Sequence, residues 1–291
     1  METYSIAQVE TLTGIHAHTL RIWEKRYGFL IPSRTDTKIR FYSDAQLKTL
    51  LNVSVLLNAG FKISKLAKMS SGQLLETSLD VQSSNGNDDT DVKALVLSML
   101  EFDEARFEEI YEVSVIRRGL FQTILKIIYP FLHQVGALWG VDKVLPAQEH
   151  FISNLIRRKL FSAIDSIPQP TKTNLKKVVL FLPENEFHEI GLLLAYFIFK
   201  QSGWQTFYLG TNVPMENIAS LEEHISPDIL CTILTTPVNE PSKRFDHVLN
   251  NIETKLIVAG NPLLLPENPI GVKYQILPSP NDLVNYIRNF K

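Results

Sequence analysis

The stretch LPENEFHEIGLLLA, beginning at Leu182, places Glu186, His188 and Gly191 where an apolar run of strand character gives way to one of helical character. A neutral imidazole is a good ligand for a transition metal, and near neutral pH it is also a competent base. Its second ring nitrogen needs an acceptor that fixes the tautomer, and the carboxylate of Glu186 stands two residues earlier. Metal ligand, catalytic base and plain polar residue at a helix start all fit this spacing. A second set is Trp139 followed, after nine residues, by Glu149-His150, which joins a flat apolar face to two hydrogen-bonding groups. Taken singly, these are a bundle-core indole and a solvated pair. The third set is basic: His16, Thr19, Arg21, Lys25 and Arg26, then Arg34, Lys38 and Arg40 with Tyr42 beside them. On a helix followed by a hairpin, such side chains reach phosphates and base edges of duplex DNA.

The elements that must position these groups follow from periodicity. Ser5 caps a helix through Ile6, Val9 and Leu12, Thr13 and Gly14 break it, and a second helix runs from about His16 to Arg26. That is helix-turn-helix spacing. PSRTDTKIRFYSD, with Ile39 and Phe41, reads as a hairpin or wing; Ser43 or Asp44 then caps a helix carrying Leu47, Leu50, Leu51 and Val55. Ile63 to Met69 adds one short helix and completes a domain over residues 1–70. Residues 71–90 are polar and small and read as a flexible linker. Apolar residues recur at helical spacing over 91–165, which predicts a four-helix bundle. Beyond a second, Pro-bearing linker, the runs KKVVLFL, QTFYLG, DILCTIL, KLIVAG and VKYQIL alternate with helical segments at 188–202, 214–223, 240–251 and 281–290. Runs this apolar are strands buried on both faces, so residues 175–291 form an α/β domain with a doubly wound, five-stranded parallel sheet. Ligands of such sheets bind at the carboxyl ends of the strands, where His188 falls.

Composition narrows the function. With 45% hydrophobic and 21% charged residues among 291, the chain is globular and multidomain. The net charge of −2 hides a division: residues 1–69 hold 10 Lys/Arg against 5 Asp/Glu, the other 222 hold 19 against 26. A basic head on an acidic body points to a polyanion partner for the head alone. A single cysteine, Cys231, excludes a disulfide framework and reads as a buried strand thiol. No apolar run reaches membrane-spanning length, and METYSIAQVE lacks the layout of a signal peptide, so a cytoplasmic protein without a membrane partner is expected. Gly-rich phosphate loops, zinc-spaced Cys/His sets and nucleophile-base patterns are missing, so an enzyme is not expected.

TLRIWEKRYGFLIPSRT followed by RFYSD resembles the winged-helix DNA-binding domain of MerR-type transcription regulators over about residues 3–70. That likeness implies dimeric binding to a promoter palindrome, with Trp23, Tyr27 and Phe41 holding the wing on the helices. Glu186, His188 and Gly191, then Thr232 and Leu234, then Ala259-Gly260, resemble the D-x-H-x-x-G, S-x-L and G-G elements of cobalamin-binding Rossmann-like domains, with Glu for Asp and Ala for the first Gly. The resemblance implies His188 as the cobalt ligand, Glu186 as its acceptor, Thr232 as an outer hydrogen-bond partner, and Gly191 with Ala259-Gly260 as room for the nucleotide tail. Trp139 with Glu149-His150 is similar to the cap motif of the light-sensing, adenosylcobalamin-dependent carotenoid-type MerR regulators, which implies contact with the upper ligand. Gly140 stands where some of that family carry a histidine.

Together these expectations describe a repressor and homo-oligomer, dimer or tetramer, whose hold on double-stranded promoter DNA depends on adenosylcobalamin and light. A regulator that answers to another signal, and a corrinoid carrier for methyl transfer, are the alternatives.

Overall fold

In a computed structural model the chain divides into two units, Met1–Asn154 and Leu155–Lys291. The structure describes residues 3–85, 87–139, 144–168, 174–214, 216–234, 252–260 and 274–290, with the side chains there except those of 82–85, 137, 139 and 219. Gly140, the helix predicted at 240–251 and the Trp139 side chain lie outside the described residues.

The first unit begins with β1 (Thr3–Ser5) and α1 (Ile6–Thr13). Ser5 and Gln8 form a reciprocal capping box, which satisfies two of the backbone donors a helix start leaves over. Gly14, at φ 70°, closes α1 and turns the chain into α2 (Ala17–Tyr27). The wing is β2 (Ser33–Arg34) against β3 (Arg40–Ser43); β1 pairs with the other edge of β3, giving an antiparallel order β1-β3-β2. Sequence reading missed β1, three residues being too short for alternation to show. A second box, Ser43 with Gln46, starts α3 (Asp44–Asn58), and α4 (Ile63–Leu66) follows. Glu24, on α2, fastens the wing: one carboxylate oxygen accepts from Arg40 Nε at 2.7 Å and the other from Arg34. Burial acts to raise the pKa of that carboxylate, but the bonds from Arg40 and Arg34 outweigh it and hold the group below its usual value.

Two expectations are corrected here. Tyr42 does not face DNA: it is 2% exposed, in register with buried Tyr4, because the inward position of β3 falls on it. The expected linker is largely α5 (Ser71–Asn85). SSGQ is itself a helix start, since Ser70 Oγ accepts from Gln73 N at 3.2 Å and Gln73 Oε1 accepts from Ser70 N at 2.9 Å. Leu74 is buried, and Ser78 Oγ donates to Asn52 Oδ1 of α3 at 2.8 Å. The polar composition therefore belongs to a helix with one buried stripe.

The bundle comprises α6 (Asp88–Glu101), α7 (Glu104–Arg118), a rod of α8 (Leu120–Thr123), a π turn (Ile124–Ile128) and α9 (Tyr129–Trp139), and α10 (Pro146–Asp165). Asn87 and Asp103 cap the first two through Thr90 N and Arg106 N, each at 2.9 Å. Pro130 donates no N–H and its ring crowds the carbonyl of Lys126; the π turn is where the rod widens to accommodate it.

In the second unit, β4 (Lys177–Pro183), β5 (Gln205–Val213), β6 (Ile229–Leu234), β7 (Lys255–Gly260) and β8 (Tyr274–Leu277) form one parallel sheet in the order β5-β4-β6-β7-β8. All six residues of β6 are buried, as a strand covered on both faces requires. Its Cys231 is fully buried, and burial pushes the thiol up to about 12. The helices are α11 (Glu189–Gln201), α12 (Glu216–Ile225) and α13 (Pro280–Asn289). The strand order reverses at β4, which puts the switch point, where ligands of such sheets bind, at the carboxyl ends of β4 and β6. Among the described residues no helix is long and apolar enough to cross a membrane.

Leu74→Ala is expected to lower stability in chemical denaturation by about 2–4 kcal/mol, the cost of a cavity in a packed core; a loose linker would leave the transition unmoved. Glu24 is depressed in the folded state, so its contribution is present above the ordinary carboxylate range and is lost as pH falls through the folded value. Glu24→Gln should cost about 1 kcal/mol at neutral pH, allowing for partial solvent exposure, and the gap from the parent protein should close in acid melts.

Candidate functional site

The basic set separates into two jobs. Arg21, Lys25 and Arg26 on α2 are exposed, as are His16 at its start and Lys38 at the wing tip, where φ is 63°. Thr19 is half-buried on the same helix. Arg34 and Arg40 are both bonded to Glu24 and so hold the wing on α2, the Arg34 side chain remaining 44% exposed. His16 caps nothing with its own side chain. Instead Glu10 accepts from Ala17 N at 3.1 Å through one oxygen and lies 2.9 Å from His16 Nδ1 through the other. The bond from His16, then that from Ala17, lower the Glu10 carboxyl below its usual pKa.

The histidine loop follows β4. Asn185, at φ 61°, donates its N–H to Asn212 Oδ1 at 2.9 Å, and Asn212 N–H returns to Glu186 O at 3.3 Å, so the loop is tied to the end of β5. Glu186 is 1% exposed, and its Oε1 accepts from Phe187 N and His188 N, both at 3.0 Å, and lies 2.7 Å from His188 Nδ1. The extra methylene of glutamate, relative to aspartate, is absorbed by folding the carboxylate back over its own loop. The bond at Nδ1 orients the ring, and the His188 side chain is 60% exposed.

Sequence reasoning missed the next residue. Glu189 begins α11 and accepts from Tyr208 Oη of β5 at 2.7 Å while pairing with Arg157 of α10 at 3.2 Å. Burial, then the bond to Glu189, pushes the Tyr208 phenol far up. Nothing in the spacing of Arg157, Glu189 and Tyr208 announces this set; the pairing of β4 with β5 creates it.

The remaining predicted groups line the ends of β6 and β7. Thr232 is fully buried in register with Phe181, and among the described residues its Oγ1 has no hydrogen-bond partner, Glu186 included. A Cβ on Gly191 would stand 2.9 Å from Ile233 Cγ2. Gly260 has φ +132°, and a Cβ there would come 2.0 Å from the carbonyl oxygen of its neighbour Leu234. Both glycines are thus demanded by the chain's own packing. Ala259 is buried beside them at 8% exposure. On the bundle, Glu149 lies in the first turn of α10, accepts from Ser153 Oγ, and reaches His150 Nδ1 at 3.0 Å. His150 is 76% exposed. Among the described residues no group of three or more His, Cys, Asp or Glu could hold a metal ion.

Residues 4–73 match the family described as MerR HTH family regulatory protein, and residues 92–162 match the B12 binding domain. The HTH-type transcriptional repressor CarH of Myxococcus xanthus is 26% identical over 87% of this chain and 85% of its own length. The repressor CarA of the same organism is also 26% identical, over 78% of this chain and 75% of its own. The monomethylamine corrinoid protein of Methanosarcina barkeri, 14% identical, superposes with a TM-score of 0.50 over 65% of this chain and 92% of that one, a likeness of fold alone. The chain joins a MerR HTH segment to a B12-binding domain and is homologous over most of its length to the repressors CarH and CarA.

Proposed function

We propose that this regulator is a repressor whose hold on promoter DNA is set by adenosylcobalamin bound through His188, and that light reverses it. The single observation that carries the reading is the imidazole oriented by a buried carboxylate at the carboxyl ends of β4 and β6. When bound, the cofactor supplies a cobalt-carbon bond that light breaks. The protein's part is to hold and to read. Glu186 keeps the ring in one tautomer, with Nε2 toward the metal. Thr232 brings a buried hydroxyl that is unpartnered among the described residues, the kind of group a bound ligand satisfies, and Leu234 ends the same strand. Gly191 and Gly260 let α11 and the ends of β6 and β7 close tightly beside it. By the resemblance, Trp139, Glu149 and His150 serve the upper ligand, and losing it alters the oligomer. A switch of this kind needs the bound ligand to favour the DNA-binding form over the other. A homo-oligomer acting on cytoplasmic promoter DNA, without catalysis, follows from the same reading.

Purified protein with adenosylcobalamin is expected to carry corrin absorbance, to change its bands under green light, and to change its elution volume and promoter affinity together. In His188→Ala the dark spectrum should lose the imidazole-ligated form and cofactor affinity should fall at least tenfold. Unchanged oligomer and promoter affinity after illumination would overturn the light switch.

A regulator indifferent to cobalamin is the second reading, favoured by one observation: internal packing alone explains Gly191 and Gly260. Gly260→Ala is accordingly expected to destabilise the second unit without any cofactor, by several kcal/mol in thermal or chemical melts, because φ +132° and the Leu234 carbonyl both oppose a side chain. Absence of corrin bands after incubation would decide for this reading.

A further inference from the structure

One buried charge joins the DNA-binding head to the bundle. The Lys93 side chain, on α6, is 5% exposed. Its Nζ donates to Asp89 Oδ2 at 2.7 Å and to Ser54 Oγ, on α3, at 2.8 Å. Ser54 Oγ in turn donates to the carbonyl oxygen of Thr13 at 2.5 Å. Thr13 is the last residue of α1, and its hydroxyl accepts from Ile15 N at 3.1 Å while donating to Val9 O at 2.7 Å. Next comes Gly14, where a Cβ would lie 3.5 Å from Lys93 Nζ. The ammonium therefore rests against the turn that fixes the angle between α1 and α2. Asp89 is gripped from the head side as well, by Asn58 Nδ2 at 2.8 Å.

A buried ammonium is costly unless paired, and an apolar side chain of similar length would pack α6 on α3 at least as well. What the charge adds is a single arrangement, because its donors must meet fixed acceptors. Lys93 is too buried to meet a phosphate, so any effect on DNA must pass through the turn.

We infer that Lys93 is a positioning residue for DNA recognition, holding α2 at its working angle through Ser54 and the Thr13 carbonyl. The head over residues 1–70 is then incomplete without the first bundle helix. This inference rests on the DNA-binding reading and is independent of the cofactor.

The test uses the full chain with two duplexes, one from its own promoter and one scrambled, titrated across salt concentrations. Lys93→Met and Ser54→Ala are compared singly and together; Asp89 is 57% exposed, so neither change strands a buried charge. Each variant should bind the promoter about tenfold more weakly with scrambled-duplex binding and the salt slope unchanged. The double variant should be no weaker than the single ones, since both break one chain. Promoter affinity equal to that of the parent, in folded variants, would overturn the inference. So would a salt slope lower by about 1, which marks a direct phosphate contact. A parent protein with no preference for the promoter would overturn the DNA reading together with it.

Discussion

A carboxylate at 1% exposure must find donors or be neutralised, and Glu186 finds three, two from the backbone of its own loop and one on His188. That requirement shapes the site. The loop wraps the carboxylate, the imidazole is drawn down by Nδ1, and α11 starts where the wrapping ends. Left-handed Asn185 and Asn212 hold the loop on β5, so the ring's direction is inherited from the sheet. Glutamate closes on the imidazole at 2.7 Å from within its own loop.

Within the second unit the same loop is anchored to the end of α10. Glu189 takes Arg157 and Tyr208 at once, and Lys200 Nζ, nearly buried, donates to Ile164 O at 2.9 Å. The second half of α10 is therefore bonded to the helix that His188 begins.

The head uses its charges in the opposite way. Its excess of basic residues is a long-range attraction for phosphate, Arg34 and Arg40 also fasten the wing through Glu24, and Lys93 bonds a hydroxyl that donates to a carbonyl. What remains exposed on α2 is Arg21, Lys25 and Arg26, with Lys38 at the wing tip.

By itself the sequence determined the elements with long periodic signals: the helix-turn-helix, the bundle rods, and the five apolar strands, since burial on one or both faces writes a period into residue type. It also determined the pairing of Glu186 with His188, because groups two residues apart on one loop need no other element to meet. Only the tertiary structure decided the rest. Tyr42 faces inward because β1, too short to see, pairs beside it, and Ser71–Asn85 is helical because Leu74 and Ser78 find a surface on α3. The contacts of Glu189 and Lys93 join residues 19 to 39 positions apart, and Gly260 is fixed by a carbonyl on the neighbouring strand. Such meetings depend on strand order and helix packing, quantities that no local pattern of residues encodes.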